Sequence, residues 1–158
     1  MHWYHFGAAL QQMMLFHQSP AAIIIHLGGN DLVSWSQSKL LKAFKRHFAY
    51  ISSTYPNAQI IWSDILPREN WRGMESTTEN LRRMNLKRKQ VNRLGRGVAI
   101  GFGGKGIHHE LDFSTTGLFR SDGVHLTLIG NAILLNTFEE AMDIFLSDHS
   151  IKTFPSNK

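Results

Sequence analysis

Short apolar runs alternate with amphipathic segments along the chain of 158 residues. Two β-branched runs, 21–27 and 59–63, are typical of strands buried on both faces of a parallel sheet. Between them, apolar residues recur at helical spacing and predict a helix over 36–55. The first half of the chain therefore predicts a strand, a helix and a second strand.

The second half continues this alternation. Residues 78–94 carry an apolar stripe and predict a basic helix that ends near Gly95 or Gly97. The apolar residues Val98–Ile100 then predict a third strand. Strands that alternate with helices predict a three-layer α/β/α parallel sheet of the flavodoxin-like type, which binds ligands at the carboxyl ends of its strands.

The remaining segments complete the predicted domain. The polar stretches 66–73 and 113–123 are expected to be loops. A long amphipathic helix is predicted over 128–146, with Thr127 as its N-cap. We expect one domain over residues 1–149 and a frayed, flexible tail over 150–158.

Composition excludes several kinds of site. The chain has no cysteine, which excludes disulfides, a thiolate nucleophile and thiolate zinc sites. Residues 1–20 lack the basic start of a secretory signal, and no stretch approaches the roughly 20 apolar residues of a membrane-spanning helix. We therefore expect a soluble, cytoplasmic protein without membrane contact, while its oligomeric state stays open.

The net charge of +5 arises from one basic run within the predicted helix over 78–94 and just after it. One interpretation is contact with nucleic acid or with an anionic membrane, because clustered lysine and arginine neutralise phosphates. The other, which we favour, is a solvated helix face. The run consists of Arg82, Arg83, Lys87, Arg88, Lys89, Arg93 and Arg96.

Two polar motifs flank the predicted elements. Gly28-Gly29-Asn30-Asp31 follows the first strand, so the Asn30 carboxamide can point across the strand end, although such residues are also ordinary in turns. Asp122-Gly123-Val124-His125 precedes the last helix, where the carboxylate can orient the imidazole as a general base. The alternative for this second motif is an Asp-Gly turn before a capped helix.

Two further groups are weaker candidates. Adjacent His108, His109 and Glu110 could be metal ligands, but neighbouring side chains on an extended segment point to opposite faces, and we predict no metal site. Trp62 and Trp71 could line an acyl pocket or pack in the core.

Taken together, the two polar motifs resemble blocks of the SGNH hydrolase (GDSL-like lipase/esterase) family. The likeness covers about Ile23 to Phe145, and the stretch Ile61–Arg68 is also similar to esterase-like domains of vertebrate retroelement-derived reading frames. The resemblance implies that Asn30, with Gly28, contacts the oxyanion of an acyl-ester substrate, that His125 is the general base and that Asp122 orients it. It implies no cofactor.

The family's serine nucleophile, which follows its first strand, has no counterpart that we recognise. Ser19, Ser34 and Ser36 all lack the family's strand-then-glycine context. Gly7 is assigned to the family's second glycine block, so that Trp3–Phe6 would be its second strand and the chain would begin after the first. We then expect Trp3–Phe6 to pair directly with the strand at 23–27.

Without that serine, we expect an N-terminally incomplete esterase-like domain with little or no activity. The alternative function is a non-catalytic binding module that uses the same cleft or contacts nucleic acid through the basic helix.

Overall fold

The computed structural model describes residues 1–15 and 20–155, and its centre is one sheet of four parallel strands in the order β1-β2-β3-β4. The strands are β1 (Ala22–Ile25), β2 (Gln59–Ser63), β3 (Lys105–Ile107) and β4 (Thr153–Phe154). The helices are α1 (Trp3–Met14), α2 (Gln37–Thr54), α3 (Thr78–Gly101) and α4 (Leu128–Ser147). None of the helices in the described ranges is long and apolar enough to cross a membrane.

Alternate residues of β2 face two different hydrophobic cores, one on each side of the sheet. Ile60 and Trp62 face the larger core, which α1, α2 and α3 complete. Ile61 faces the opposite side, where it packs with Ala141 and Phe145 of α4. Because successive side chains of a strand point to opposite faces, helices cover both sides of the sheet. The predicted three-layer α/β/α architecture is confirmed.

Several predicted elements form with small changes in their bounds. Strand β2 has its predicted bounds, β1 is shorter than predicted, and α2 begins after Ser36, whose side chain accepts a hydrogen bond from the Lys39 amide at 3.2 Å. Thr127 caps α4 as predicted, because its hydroxyl accepts a hydrogen bond from the Gly130 amide at 3.1 Å.

The prediction of a third strand at Val98–Ile100 is wrong, since α3 continues to Gly101. Its buried stripe runs on through Gly95 and Ala99, and Gly95 makes room for the ring of Trp62, because a Cβ there would lie 2.4 Å from Cε2 of that ring. The helix ends where Gly103 adopts a φ of +76°, and the amides of the two glycines that follow Phe102 bond back to the carbonyls of Ile100 and Ala99. This is a Schellman ending, and β3 starts directly after it.

The assignment of Trp3–Phe6 to a strand is also wrong, because these residues begin α1. Trp3 and Leu10 are buried two turns apart, and the Trp3 amide donates to the buried Asp31 carboxylate at 3.2 Å. A carboxylate at this position stabilises the positive end of a helix. Consequently Trp3–Phe6 does not pair with β1, which is an edge strand of the described sheet.

The assignment of Gly7 to a substrate-binding glycine block is also wrong, because it required Trp3–Phe6 to be a strand. Gly7 lies inside α1, and a Cβ built on it would lie 3.6 Å from Cε1 of His47 in α2. That distance is an ordinary van der Waals contact, and Gly7 is not among the described residues that line the cavities.

The predicted frayed tail is wrong at Thr153 and Phe154, which pair with β3 as β4. The buried Lys105 supports this pairing, because its ammonium group donates to the carbonyl oxygens of His149, at 2.8 Å, and of Ile151. Residues 156–158 lie outside the described ranges.

Candidate functional site

A cavity of about 270 Å³ lies beyond the carboxyl end of β1. The sequence motifs at Gly28–Asn30 and at Asp122–His125 meet here, because Gly28, Asn30 and His125 all line the cavity. The carboxyl ends of parallel strands are where such sheets place their ligands. The structure thus brings residues of both motifs to one cavity, whereas Gly7 is not among the described residues that line it.

Asp122 holds the imidazole of His125. Its Oδ2 atom lies 2.7 Å from Nδ1 of His125, and its Oδ1 atom accepts the backbone amides of Val124, at 2.8 Å, and of His125, at 2.9 Å. The hydrogen bond to the imidazole, followed by those to the two amides, keeps the pKa of the Asp122 carboxyl well below its usual range. Because Nδ1 is occupied, Nε2 is the ring nitrogen that can accept a proton from a reactant.

Asn30 lies in the turn after β1. Gly28 makes this turn with a φ of +116°, a backbone conformation that favours glycine. Nη1 of Arg68 donates to Oδ1 of Asn30 at 3.0 Å. Since a guanidinium can only donate, this contact directs the Asn30 oxygen toward Arg68 and leaves the amide NH₂ as the group for an acceptor. That NH₂ group has one acceptor in the structure, the Met1 carbonyl oxygen, at 3.4 Å.

Arg68 belongs to the site although the motifs did not indicate it. It lines the 270 Å³ cavity and also a larger cleft on its other side, and its guanidinium lies 5.3 Å from the ring centroid of Trp71. The signal in the sequence was its place in the loop that follows β2. A loop at a strand's carboxyl end is a usual source of ligand contacts, but the sequence did not show which of its side chains turns inward.

The same loop fixes the Asp122–His125 segment. The Glu69 amide donates to the Gly123 carbonyl oxygen at 2.9 Å, and the Asn70 side chain donates to the Asp122 carbonyl oxygen at 2.7 Å. Gly123 has a φ of +63°, and a Cβ on it would lie 2.7 Å from Cβ of Glu69. The turn therefore needs glycine both for its conformation and for the close approach of the two loops.

A hydrogen-bonded chain of three side chains runs from the 270 Å³ cavity to the larger cleft. The Ser63 hydroxyl lies 2.7 Å from Nδ1 of His26 and 2.7 Å from Nε2 of His109, and the tautomers of the two imidazoles set which of them donates to it. His26 lines the 270 Å³ cavity, while His109 lines the larger cleft. Burial, and then the nearby imidazoles of His26 and His108, lower the pKa of His109 to about 3. His109 is therefore neutral at pH 7.

Adjacent His108 and His109 have different partners. Nδ1 of His108 lies 2.9 Å from Oδ2 of Asp64, which also forms an ion pair with Arg96, whereas His109 contacts Ser63. Within residues 1–15 and 20–155, no three histidine or acidic side chains are grouped so that they could hold a metal ion.

Trp62 and Trp71, which the sequence offered as possible walls of an acyl pocket, do not line the 270 Å³ cavity. Trp62 is fully buried and packs in the larger core against Trp3 and Phe44. Trp71 is nearly buried and lines the larger cleft rather than the 270 Å³ cavity. Both therefore serve packing rather than the Asn30–His125 cavity.

Serine, threonine and cysteine are absent from the described residues that line the 270 Å³ cavity. Ser36 is the N-cap of α2, and Ser34 is exposed before that helix. Ser19 lies outside the described residues. The structure therefore places neither Ser34 nor Ser36 beside His125.

Comparison with known proteins identifies the fold. No protein-family profile matches the sequence, and no curated protein matches it either. Among solved structures, the chain is similar to a protein from Parabacteroides merdae that is assigned as a GDSL-like lipase. The TM-score is 0.64 at 17% sequence identity, and the match covers 89% of this chain and 68% of the other. The chain therefore has an SGNH-like α/β fold.

Proposed function

We propose that this chain is an SGNH-type acyl-ester hydrolase domain whose site supplies an oxyanion donor and a general base but no nucleophile of its own. One observation carries the proposal. His125, whose Nδ1 lies 2.7 Å from Oδ2 of Asp122, lines the same cavity as Asn30.

Each residue of the proposed site has a defined task. His125 accepts a proton at Nε2 from the attacking group, and Asp122 stabilises the imidazolium that results. The Asn30 amide donates to the oxygen that becomes negative in the tetrahedral intermediate, a contact that typically lowers the barrier by about 3 kcal/mol. Arg68 is a positioning residue, because its bond to the Asn30 oxygen aims that amide.

The absence of a hydroxyl side chain among the described residues of the cavity supports the second part of the proposal. Without such a group, His125 can activate only water or an added alcohol, and no acyl-enzyme forms. Sites that lack one triad member keep a small rate above background through the oxyanion donor and substrate binding. The proposed reaction is therefore acyl-ester hydrolysis, and we expect this chain to carry it out slowly.

Turnover of p-nitrophenyl acetate tests this proposal. We expect slow release of p-nitrophenol without an initial burst, and no serine adduct by mass spectrometry after treatment with a fluorophosphonate. His125→Ala should lower the residual rate on the order of 10²-fold, the lower end of what a general base contributes. His149→Ala is the matched control, because His149 is exposed beyond α4 and does not line the cavity.

Two results would contradict it, in different ways. A burst or a fluorophosphonate adduct on any serine would show that the chain has its own nucleophile. Equal rates for the unsubstituted chain and His125→Ala would remove catalysis by this cavity altogether.

We extend the proposal to the retroelement-derived branch of the family. This narrower assignment rests on the resemblance of Ile61–Arg68 alone. In the structure that stretch spans the end of β2 and the loop that carries Arg68, so it includes a residue of the site.

A further inference from the structure

Positive charge is concentrated on helix α3. It carries seven of the chain's 17 basic residues and one of its 12 acidic residues, so its net charge of +6 exceeds the +5 of the whole chain. The rest of the chain is close to neutral. A helix that holds the entire charge excess presents a local positive field rather than a generally basic surface.

Three of the basic residues are occupied in holding the fold. Lys87 donates to the carbonyl oxygen of Leu32 at 2.5 Å, and Arg88 donates to that of Ile65 at 2.8 Å. Arg96 forms an ion pair with the buried Asp64. These three cations are therefore not free to bind a ligand without a loss of structure.

Three others form a free row. Arg82, Lys89 and Arg93 are spaced by seven and four residues, which places them on one face of α3 over about 16 Å. Lys89 and Arg93 are exposed and make no hydrogen bond or ion pair with another described residue. Arg82 has only Glu79 at 3.9 Å, and both side chains are more than two-thirds exposed, so that pair is weak.

The row opens into a cleft rather than into bulk solvent. All three residues line the larger cleft, whose volume is about 890 Å³ and which Arg68 separates from the 270 Å³ cavity. Glu110 and Asp112 lie on the loop after β3, and Glu69 lies on the loop after β2. Those carboxylates repel an anion, and an anionic chain in the cleft is thereby kept against α3.

We propose that this cleft binds the phosphate backbone of a single-stranded nucleic acid along Arg82, Lys89 and Arg93. A row about 16 Å long suits consecutive phosphates better than one phosphate group, and a groove of positive charge that follows the backbone is how single strands are bound without sequence preference. This binding is independent of ester hydrolysis, since none of the three residues lines the 270 Å³ cavity.

Fluorescence anisotropy with a labelled 12-nucleotide oligouridylate tests the proposal across a series of salt concentrations. With three phosphates neutralised, the logarithm of the affinity should fall against the logarithm of salt with a slope of about −2. The triple variant Arg82→Gln, Lys89→Gln, Arg93→Gln should weaken binding at least about tenfold at low salt and bring the slope close to zero. Its thermal unfolding should be unchanged, because all three side chains are exposed.

A matched variant separates the cleft from net charge. Lys42→Gln, Lys45→Gln, Lys152→Gln removes the same charge from exposed positions away from the cleft and should leave the affinity within about twofold. Equal weakening by both triple variants, or no binding of the oligouridylate at low salt, would overturn the proposal. Inorganic polyphosphate of similar length is the second probe. If polyphosphate binds more tightly than the oligonucleotide, the assignment of a nucleic acid as the ligand is wrong.

Discussion

Gly95→Ala destabilises the protein by about 1–3 kcal/mol, which is the usual cost of forcing an extra group into a packed core. A Cβ at this position would lie 2.4 Å from Cε2 of the Trp62 ring. Trp62 cannot move aside, because it is fully buried among other rings of the larger core. Urea unfolding followed by circular dichroism measures the change in the free energy of unfolding.

Gly97→Ala is the control for this prediction. It lies two residues further along α3, is exposed, and a Cβ there would meet nothing within 4 Å. Replacing an exposed helical glycine with alanine stabilises a protein by about 0.5–1 kcal/mol. Opposite signs for the two substitutions are expected, and a stabilising Gly95→Ala would show that Trp62 does not pack against this part of α3.

Acidification from pH 7 to pH 5 should cost the folded state about 2 kcal/mol through His109 alone. Its pKa is about 3 in the folded protein against 6.5 for the free side chain, because burial opposes its charged form. Between these values the unfolded chain binds a proton at His109 that the folded chain does not. Stability is therefore fully present above pH 6.5 and falls as the pH decreases toward 3.

Comparison with His109→Gln isolates this contribution. Glutamine does not titrate and offers an amide to the Ser63 hydroxyl, so the variant should lose about 2 kcal/mol less than the parent chain between pH 7 and pH 5, measured by urea unfolding at each pH. His149→Gln, at an exposed position, should leave the pH dependence unchanged. The same pH dependence in the parent chain and His109→Gln would contradict a buried, neutral His109.

Local patterns predicted α2, β2 and α4 well. Each had a local signal that no neighbour opposes: apolar residues at helical spacing for α2, a short apolar run for β2, and the cap Thr127 before an amphipathic stretch for α4. The loops that flank these elements were predicted for the same reason. The three-layer arrangement then followed from the alternation of strands and helices.

Two elements were mistaken because their local signals were ambiguous. Trp3–Phe6 is a short apolar run that fits a strand or a helix, and the Asp31 carboxylate, 28 residues away from Trp3, favours the helix by receiving its first amide. Val98–Ile100 also fits either structure. There Gly95 lets α3 pack against the ring of Trp62, and the helix extends to Gly101.

For the site, the sequence by itself determined the candidates Asn30, Asp122 and His125, because turn residues at strand ends and an Asp three residues before a His are local features. Only the tertiary structure decided that Asn30 and His125 line one cavity, that Arg68 aims the Asn30 amide, and that Ser63 connects His26 to His109. Those contacts join residues more than 30 positions apart, and the parallel sheet brings them together by aligning the carboxyl ends of its strands.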